Sequence, residues 1–404
     1  MQRKLWNKDY ILLLQGSAVS SIGDLMYSVA IGFWVYAQTG SNALMGIMSS
    51  ISMFVTMFLS PFCGSIVDKL NRKWVVVLID IVQGLLMLGV GILAYTNTLN
   101  VPAVLGVALI AAFGSVFYSP AINTIMLDII PRDDMVRGQS VHSGIQSAIS
   151  LVGTAFSGAM VAFFGVPLIV VMNGISNIYS AFSEMFISVP KTVQQGERIN
   201  VKGVLTDFGD AAKTIFADPC LRLFIPGAFV LNLLGAGPMA LMLPFCAEKG
   251  FSVDMYGYAM SIQSVGYLLG VLLLGAVKFK PVTRFWIMAV GFSLQTVFFV
   301  AGFFSNIYWL LCVLLFLGSL CNCVGNTILN AAMMLALPEK NRGAIMGFVQ
   351  AICTGGCALS AVIYGFLGDI FPLYLVFAAG GAISLLPMLY ICFHRETKAF
   401  ISTH

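Results

Sequence analysis

Apolar runs too long for a soluble core recur along the whole chain, and short gaps between them hold nearly all of its charge. They lie near 10–37, 43–67, 74–96, 101–127, 138–163 and 166–187, then near 222–246, 254–277, 283–304, 306–336, 343–369 and 371–393. An α-helix needs about 20 apolar residues to cross the hydrocarbon of a bilayer, and most of the runs reach or exceed that. A buried core helix is the alternative for any one run, and it fails on length. Only 9% of the residues are charged and 59% are hydrophobic, too little polar material to surface two or three soluble domains. The expected fold is an all-α integral membrane protein of twelve transmembrane helices. A six-helix half (1–187) and a second (222–404) flank a central stretch (188–221).

The first run begins near Tyr10 behind Arg3, Lys4 and Lys8. It is too long for a signal peptide and no small-residue cleavage site follows it, so it reads as the first span. With the N-terminus in the cytoplasm, 20 of the 21 Lys and Arg residues fall on the cytoplasmic side, leaving Lys249 outside. Basic residues are retained on the cytoplasmic face during insertion, so both termini are expected there.

The halves echo each other. Asn123 precedes Pro131 by eight residues and Arg137-Gly138 follows; Asn330 precedes Pro338 by eight and Arg342-Gly343 follows. Each set falls on the cytoplasmic loop after the fourth span of its half, which points to a duplicated six-helix unit. In the central stretch, Val204, Leu205, Phe208, Ala211, Ala212, Ile215 and Phe216 recur at helical spacing until Asp218-Pro219 ends the pattern. An amphipathic helix on the inner membrane surface is expected, with a disordered tether as the alternative.

Several function classes are excluded. There is no GxxxxGK[ST] loop to bind nucleotide phosphates. Nine cysteines and three histidines show no CxxC or other metal-ligand spacing, so the cysteines read as small apolar packing residues. No enzyme chemistry, cofactor, metal or nucleic-acid partner is expected.

One short gap is unusually specific: Gly64-Ser65-Ile66-Val67-Asp68-Lys69-Leu70-Asn71-Arg72-Lys73. This decapeptide resembles the signature loop of the major facilitator superfamily. The resemblance implies that Gly64 lets the second helix approach the eleventh closely. It further implies that Asp68 sits at the N-terminus of the eleventh helix, where the helix dipole favours its charge, and pairs with Arg72. Lys73 and Asp80 join that gating cluster. In the second half, Phe279 stands where the carboxylate would be. A loop that merely fixes topology accounts for the basic residues but not for Gly64 or Asp68.

Asp24 is the sharper functional candidate, near the middle of the first span in Ser20-Ser21-Ile22-Gly23-Asp24. An ionised carboxylate at mid-bilayer costs about 3 kcal/mol on insertion scales, so such a residue faces a cavity, finds a cation or takes up a proton. Asp24 is the expected proton-coupling residue, with Glu184 as a second; a structural role for Asp24, bonded to Ser and Tyr hydroxyls, is the alternative. In this superfamily the first, fourth, seventh and tenth helices line the cavity. The resemblance therefore offers Tyr27, Trp34, Phe117, Tyr118, Asn123, Asn232, Met239, Asn322 and Asn326, with Gln146, Gln263 and Gln350 from flanking helices. Aromatic, Met and neutral amide groups suit an amphipathic ligand better than a sugar or phosphate; packing between helices is the alternative for several of them.

Gln15, Ser20–Asp24, Thr39-Gly40-Ser41 and Ser119-Pro120-Ala121-Ile122-Asn123 resemble bacterial exporters of the macrolide-efflux type. Ala111-Ala112 stands where proton antiporters often carry an arginine, and Gly153-Thr154 where Gly-Pro is usual. The resemblance implies a monomeric secondary transporter of the bacterial cytoplasmic membrane, exporting amphipathic drugs by proton antiport with alternating access. A lipid or siderophore exporter, or an uncoupled facilitator, is the alternative.

Overall fold

The computed structural model describes residues 5–67, 70–131, 134–189, 209, 213, 219–276, 281–336 and 342–393. Helices occupy all twelve expected places. They are α1 (Lys8–Thr39), α2 (Asn42–Val67), α3 (Arg72–Tyr95) and α4 (Val101–Ile129), then a helical stretch Met135–Met185 broken at Gly165. At that break φ is 74° and ψ is 160°, a conformation open to glycine, and the stretch becomes α5 (135–164) and α6 (166–185). The second half holds α7 (Pro219–Gly235), two short helices α8 (Gly237–Ala240) and α9 (Met242–Glu248), and α10 (Val253–Ala276). It ends with α11 (Pro281–Phe304), α12 (Tyr308–Ala336), α13 (Arg342–Ile370) and α14 (Leu373–Phe393). Among the described residues, nine helices are singly long and apolar enough to cross a bilayer, ten with the bent pair of α7–α8 and α9.

That bent pair corrects one expectation. The span expected as continuous over 222–246 turns by 52° where α9 begins. Gly235, Gly237 and Pro238 cluster at the α7–α8 junction within two turns before that bend, where glycine weakens a helix and proline donates no amide hydrogen. Backbone groups freed inside a membrane need protein partners. α13 supplies them: Gly237 N donates to Ser360 Oγ at 2.7 Å, and Tyr364 OH donates to the Leu234 carbonyl. Ser360 is fully buried.

The chain forms two compact units. One comprises residues 1–39 and 58–201, the other 40–57 and 202–404. The first part of α2 therefore packs with the C-terminal helices rather than with the helices that precede and follow it in sequence.

In the first unit, α6 packs against both α1 and α3. Small residues permit this, since apolar helices in lipid gain little from burial and depend on close packing. A β-carbon at Gly23 would lie 2.6 Å from Asn173 Oδ1 and closer still to Ser176 Oγ. The N-terminal end of α1 is tied by Asn7 Nδ2 donating to the Ile129 carbonyl at 2.9 Å and Tyr10 OH donating to the Gly138 carbonyl at 2.7 Å. An apolar cluster around Tyr10, Leu13, Ile125, Met126 and Ile129 packs beneath them.

In the second unit, Phe245, Phe303, Phe377 and Tyr364 form a chain of ring contacts with centroids 5.1 to 6.1 Å apart. The amphipathic helix expected at 204–216 and Phe279 lie outside the described residues, apart from Gly209 and Lys213. So does the loop after α12, which holds Pro338 of the second repeat copy.

Candidate functional site

The polar side chains of α6 fall at 173, 176, 177, 180, 183 and 184, spacings that put them on one stripe of a helix. The stripe faces α1, and most of it is buried: Asn173, Asn177, Ser180, Ser183 and Glu184 are each 4% exposed or less. Asn177 Nδ2 donates to Asp24 Oδ1 at 3.3 Å and to Asn173 Oδ1 at 2.9 Å. Lower down, Ser183 Oγ donates to the Leu12 carbonyl at 3.0 Å and accepts from Gln15 Nε2 at 3.1 Å.

Three acidic residues far apart in sequence meet along this stripe. Asp24 of α1 is exposed on the unit's surface at one end. Asp80 of α3, 2% exposed, and Glu184 of α6, 1% exposed, stand side by side with Ser180 against both. Tyr118 of α4 donates to Glu184 Oε1 at 3.1 Å. Tyr27 is half-buried, and its hydroxyl has no hydrogen-bond partner among the described residues. No lysine or arginine follows Lys8 in α1 or Lys73 in α3, and α4 and α6 have none.

Asp80 thus sits with Glu184, and Arg72, at the start of α3, meets a carboxylate of α4. Arg72 Nη1 lies 2.9 Å from Asp128 Oδ2, joining the start of α3 to the end of α4. Asp68 lies outside the described residues, Gly64 is helical within α2, and Lys73 holds its ammonium 6.0 Å from the Trp74 ring. Asp128 was legible as a carboxylate at the end of an apolar run, but nothing local tied it to a residue 56 positions earlier.

The residues expected to line a cavity are distributed between the units. In the first unit Trp34, Phe117 and Gln146 are half-buried and Asn123 is exposed, while Tyr118 is engaged by Glu184. In the second, Gln263 Nε2 donates to Met239 Sδ at 3.3 Å and Asn326 Nδ2 donates to Asn322 Oδ1 at 3.0 Å. Asn232 Oδ1 accepts from Cys357 Sγ at 3.2 Å, and exposed Gln350 donates to Thr354 Oγ1 at 3.3 Å. A separate apolar cavity of about 340 Å³ lies among α7, α13 and α14, bounded by Leu234, Ile363, Tyr364, Leu367, Phe371 and Ile383. None of the expected cavity residues lines it.

Comparison with known proteins agrees with this architecture. YkuC of Bacillus subtilis (strain 168), described as an uncharacterized MFS-type transporter, is 22% identical over 374 residues, covering 87% of this chain and 85% of its own. Macrolide efflux protein A of Streptococcus pyogenes is 22% identical over 194 residues, 48% of this chain and 47% of the relative, so that match spans about half of each. A crystal structure of a mutant nucleoside transporter NupG superposes with a TM-score of 0.77 at 15% identity, covering 95% of this chain and all of that one, and shows the shared fold. The family profile described as transmembrane secretion effector matches residues 5–400. The chain therefore belongs to the transmembrane secretion effector family of the major facilitator superfamily, as a multi-pass membrane transporter and not an enzyme.

Proposed function

We propose that this transporter exports amphipathic small molecules, macrolide-like drugs among them, from the bacterial cytoplasm by proton antiport. The observation that carries the reading is the polar stripe of α6. It places an exposed carboxylate, Asp24, on Asn177, one turn of α6 from Ser180 and the two buried carboxylates, in a region where α1 and α3 carry no lysine or arginine beyond their first turns and α4 and α6 carry none. Carboxylates kept within a membrane against their insertion cost are characteristic of proton and ion pathways. The likeness to macrolide efflux protein A supports the direction of transport and the class of cargo.

In this reading the protein works as a monomer in the cytoplasmic membrane with both termini inside, by alternating access. Tyr27, Trp34, Asn123, Gln146, Asn232, Met239, Gln263, Asn326 and Gln350 would contact cargo. Gly64, Asp68, Arg72 and Lys73 would form the cytoplasmic gate.

Two experiments test it. A strain expressing the protein should tolerate macrolides and cationic dyes better than one carrying the empty vector; equal susceptibility across the panel removes drug export. In everted vesicles, Asp24→Asn should abolish substrate uptake driven by a pH gradient. Undiminished uptake would take proton coupling away from Asp24.

A further inference from the structure

We infer that Asp80 and Glu184 together form a proton-binding site, holding one proton between their two carboxyl groups, apart from Asp24. Its part in energy coupling rests on the antiport reading; the existence of the site does not.

The first support is burial. Asp80 and Glu184 are 2% and 1% exposed, and they adjoin each other across α3 and α6. Two carboxylates in contact and out of water cannot both stay ionised, because each charge loses its hydration and repels the other. A cation or a proton must accompany them.

The second is the unmet hydrogen bonding. Asp80 Oδ2 and Glu184 Oε2 are buried without a well-formed hydrogen bond among the described residues, and Ser180, fully buried against both carboxyls, has one hydroxyl proton to offer the two. Buried polar atoms almost always find partners. A carboxylate only accepts, so two facing carboxylates leave acceptors opposed. One proton makes one of them a donor and resolves the mismatch.

The third is the lack of a fixed cation. The titratable groups facing the pair are Asp24 from α1 and Tyr118 from α4, one acidic and one a neutral donor to Glu184 Oε1. Arg72 lies eight residues before Asp80 on α3, about 12 Å along the helix, and pairs with Asp128. On α5, Arg137 and His142 lie in the first turns. Like charges in contact and out of water cannot both ionise, so an adjoining pair of carboxyls holds one proton between them.

Infrared spectroscopy of the purified full-length protein in detergent tests the site without a transported substrate. At neutral pH in choline chloride, the wild type should show a carboxylic-acid C=O stretch that shifts in heavy water. The Asp80→Asn/Glu184→Gln double variant should lose it, and Asp24→Asn should retain it. Each amide is nearly isosteric with its acid, and thermal melting checks that the variants fold. If the double variant does not fold, Glu184→Gln alone takes its place and should lower the band's intensity.

Absence of the band in the wild type overturns the inference, as does a band unchanged in the double variant. Loss of the band in Asp24→Asn places the proton on Asp24 instead. Loss of the wild-type band on replacing choline by sodium makes the pair a sodium site and likewise overturns a shared proton. Any of these outcomes leaves drug export standing, since the susceptibility assay is independent of them.

Discussion

Asp369, at the end of α13, caps the N-terminus of α2: its Oδ1 accepts from Asn42 N at 2.6 Å, and its Oδ2 from Ser41 Oγ at 2.9 Å and Ala43 N at 3.3 Å. Asn42 answers with its side-chain amide, which donates to the Gly368 carbonyl at 2.8 Å. The close approach depends on Gly365, where a β-carbon would lie 2.7 Å from the Asn42 carbonyl oxygen. A carboxylate at a helix N-terminus satisfies free amides and meets the positive end of the helix dipole. Asp369→Ala should lower the stability of the purified protein by about 1 kcal/mol, as expected for a lost helix cap. Asp369→Asn, which keeps an acceptor, should lose less. Thermal melting in detergent reads both, and equal melting temperatures for all three proteins would show that the cap contributes nothing.

The contact of α1 with α6 predicts sharply different outcomes for two glycines. At Gly23 an added methyl would collide with Asn173 and Ser176, whereas at Gly106 nothing lies within 4 Å of it. Gly23→Ala should cost about 1–3 kcal/mol through overpacking and disturb the polar stripe that reaches Asp24. Gly106→Ala should be neutral or slightly stabilising, because alanine favours a helix by up to about 1 kcal/mol over glycine. Comparing expression and melting of the two variants decides it, and a tolerated Gly23→Ala would mean that the helices can part without penalty.

Arg72 and Asp128 are partly buried, at 10% and 20% side-chain exposure, which makes their attraction stronger than that of a surface pair. Removing either charge alone should impair transport, and the exchange Arg72→Asp with Asp128→Arg should restore part of it. A double-mutant cycle on melting temperature should return a coupling on the order of 1 kcal/mol. Additive effects, with no rescue by the exchange, would mean the two residues act separately.

The helices were legible because length and apolarity alone decide a membrane span, and the helical stretch 135–185 divides where the apolar pattern suggested. The broken span at α7–α9 was written in Gly235, Gly237 and Pro238. Reading it as a break required knowing that Ser360 and Tyr364, over 120 residues away, would take up the freed backbone groups. Asp24 and Glu184 stood out as charges in apolar runs. Their connection did not, since it depends on which face of α6 meets α1. The stripe at 173, 176, 177, 180 and 184 was visible as a period in the sequence, but neutral amides and hydroxyls draw less attention than a carboxylate. Asp369 passed unnoticed because an acidic residue at the end of a span looks like ordinary surface charge until the amides of Asn42 and Ala43 are placed against it.

Tyr118 was expected to touch cargo, yet its hydroxyl donates to Glu184 at 3.1 Å. The two roles give different kinetics. A residue that binds cargo changes apparent affinity, and does so unequally among drugs of different shape. A residue that serves the carboxylate pair leaves cargo affinity alone and slows every substrate alike. Tyr118→Phe removes one hydroxyl while keeping the ring, so packing in the surrounding apolar cluster is preserved. A hydrogen bond to a charged group contributes about 1.5–3 kcal/mol, so a loss of tenfold or more in maximal transport rate is expected if the bond matters in the rate-limiting step. Apparent KM should stay within about twofold for each of several drugs, as it does where cargo dissociates faster than it is carried across. A selective rise in KM for some drugs, with maximal rates intact, would instead return Tyr118 to the cargo site.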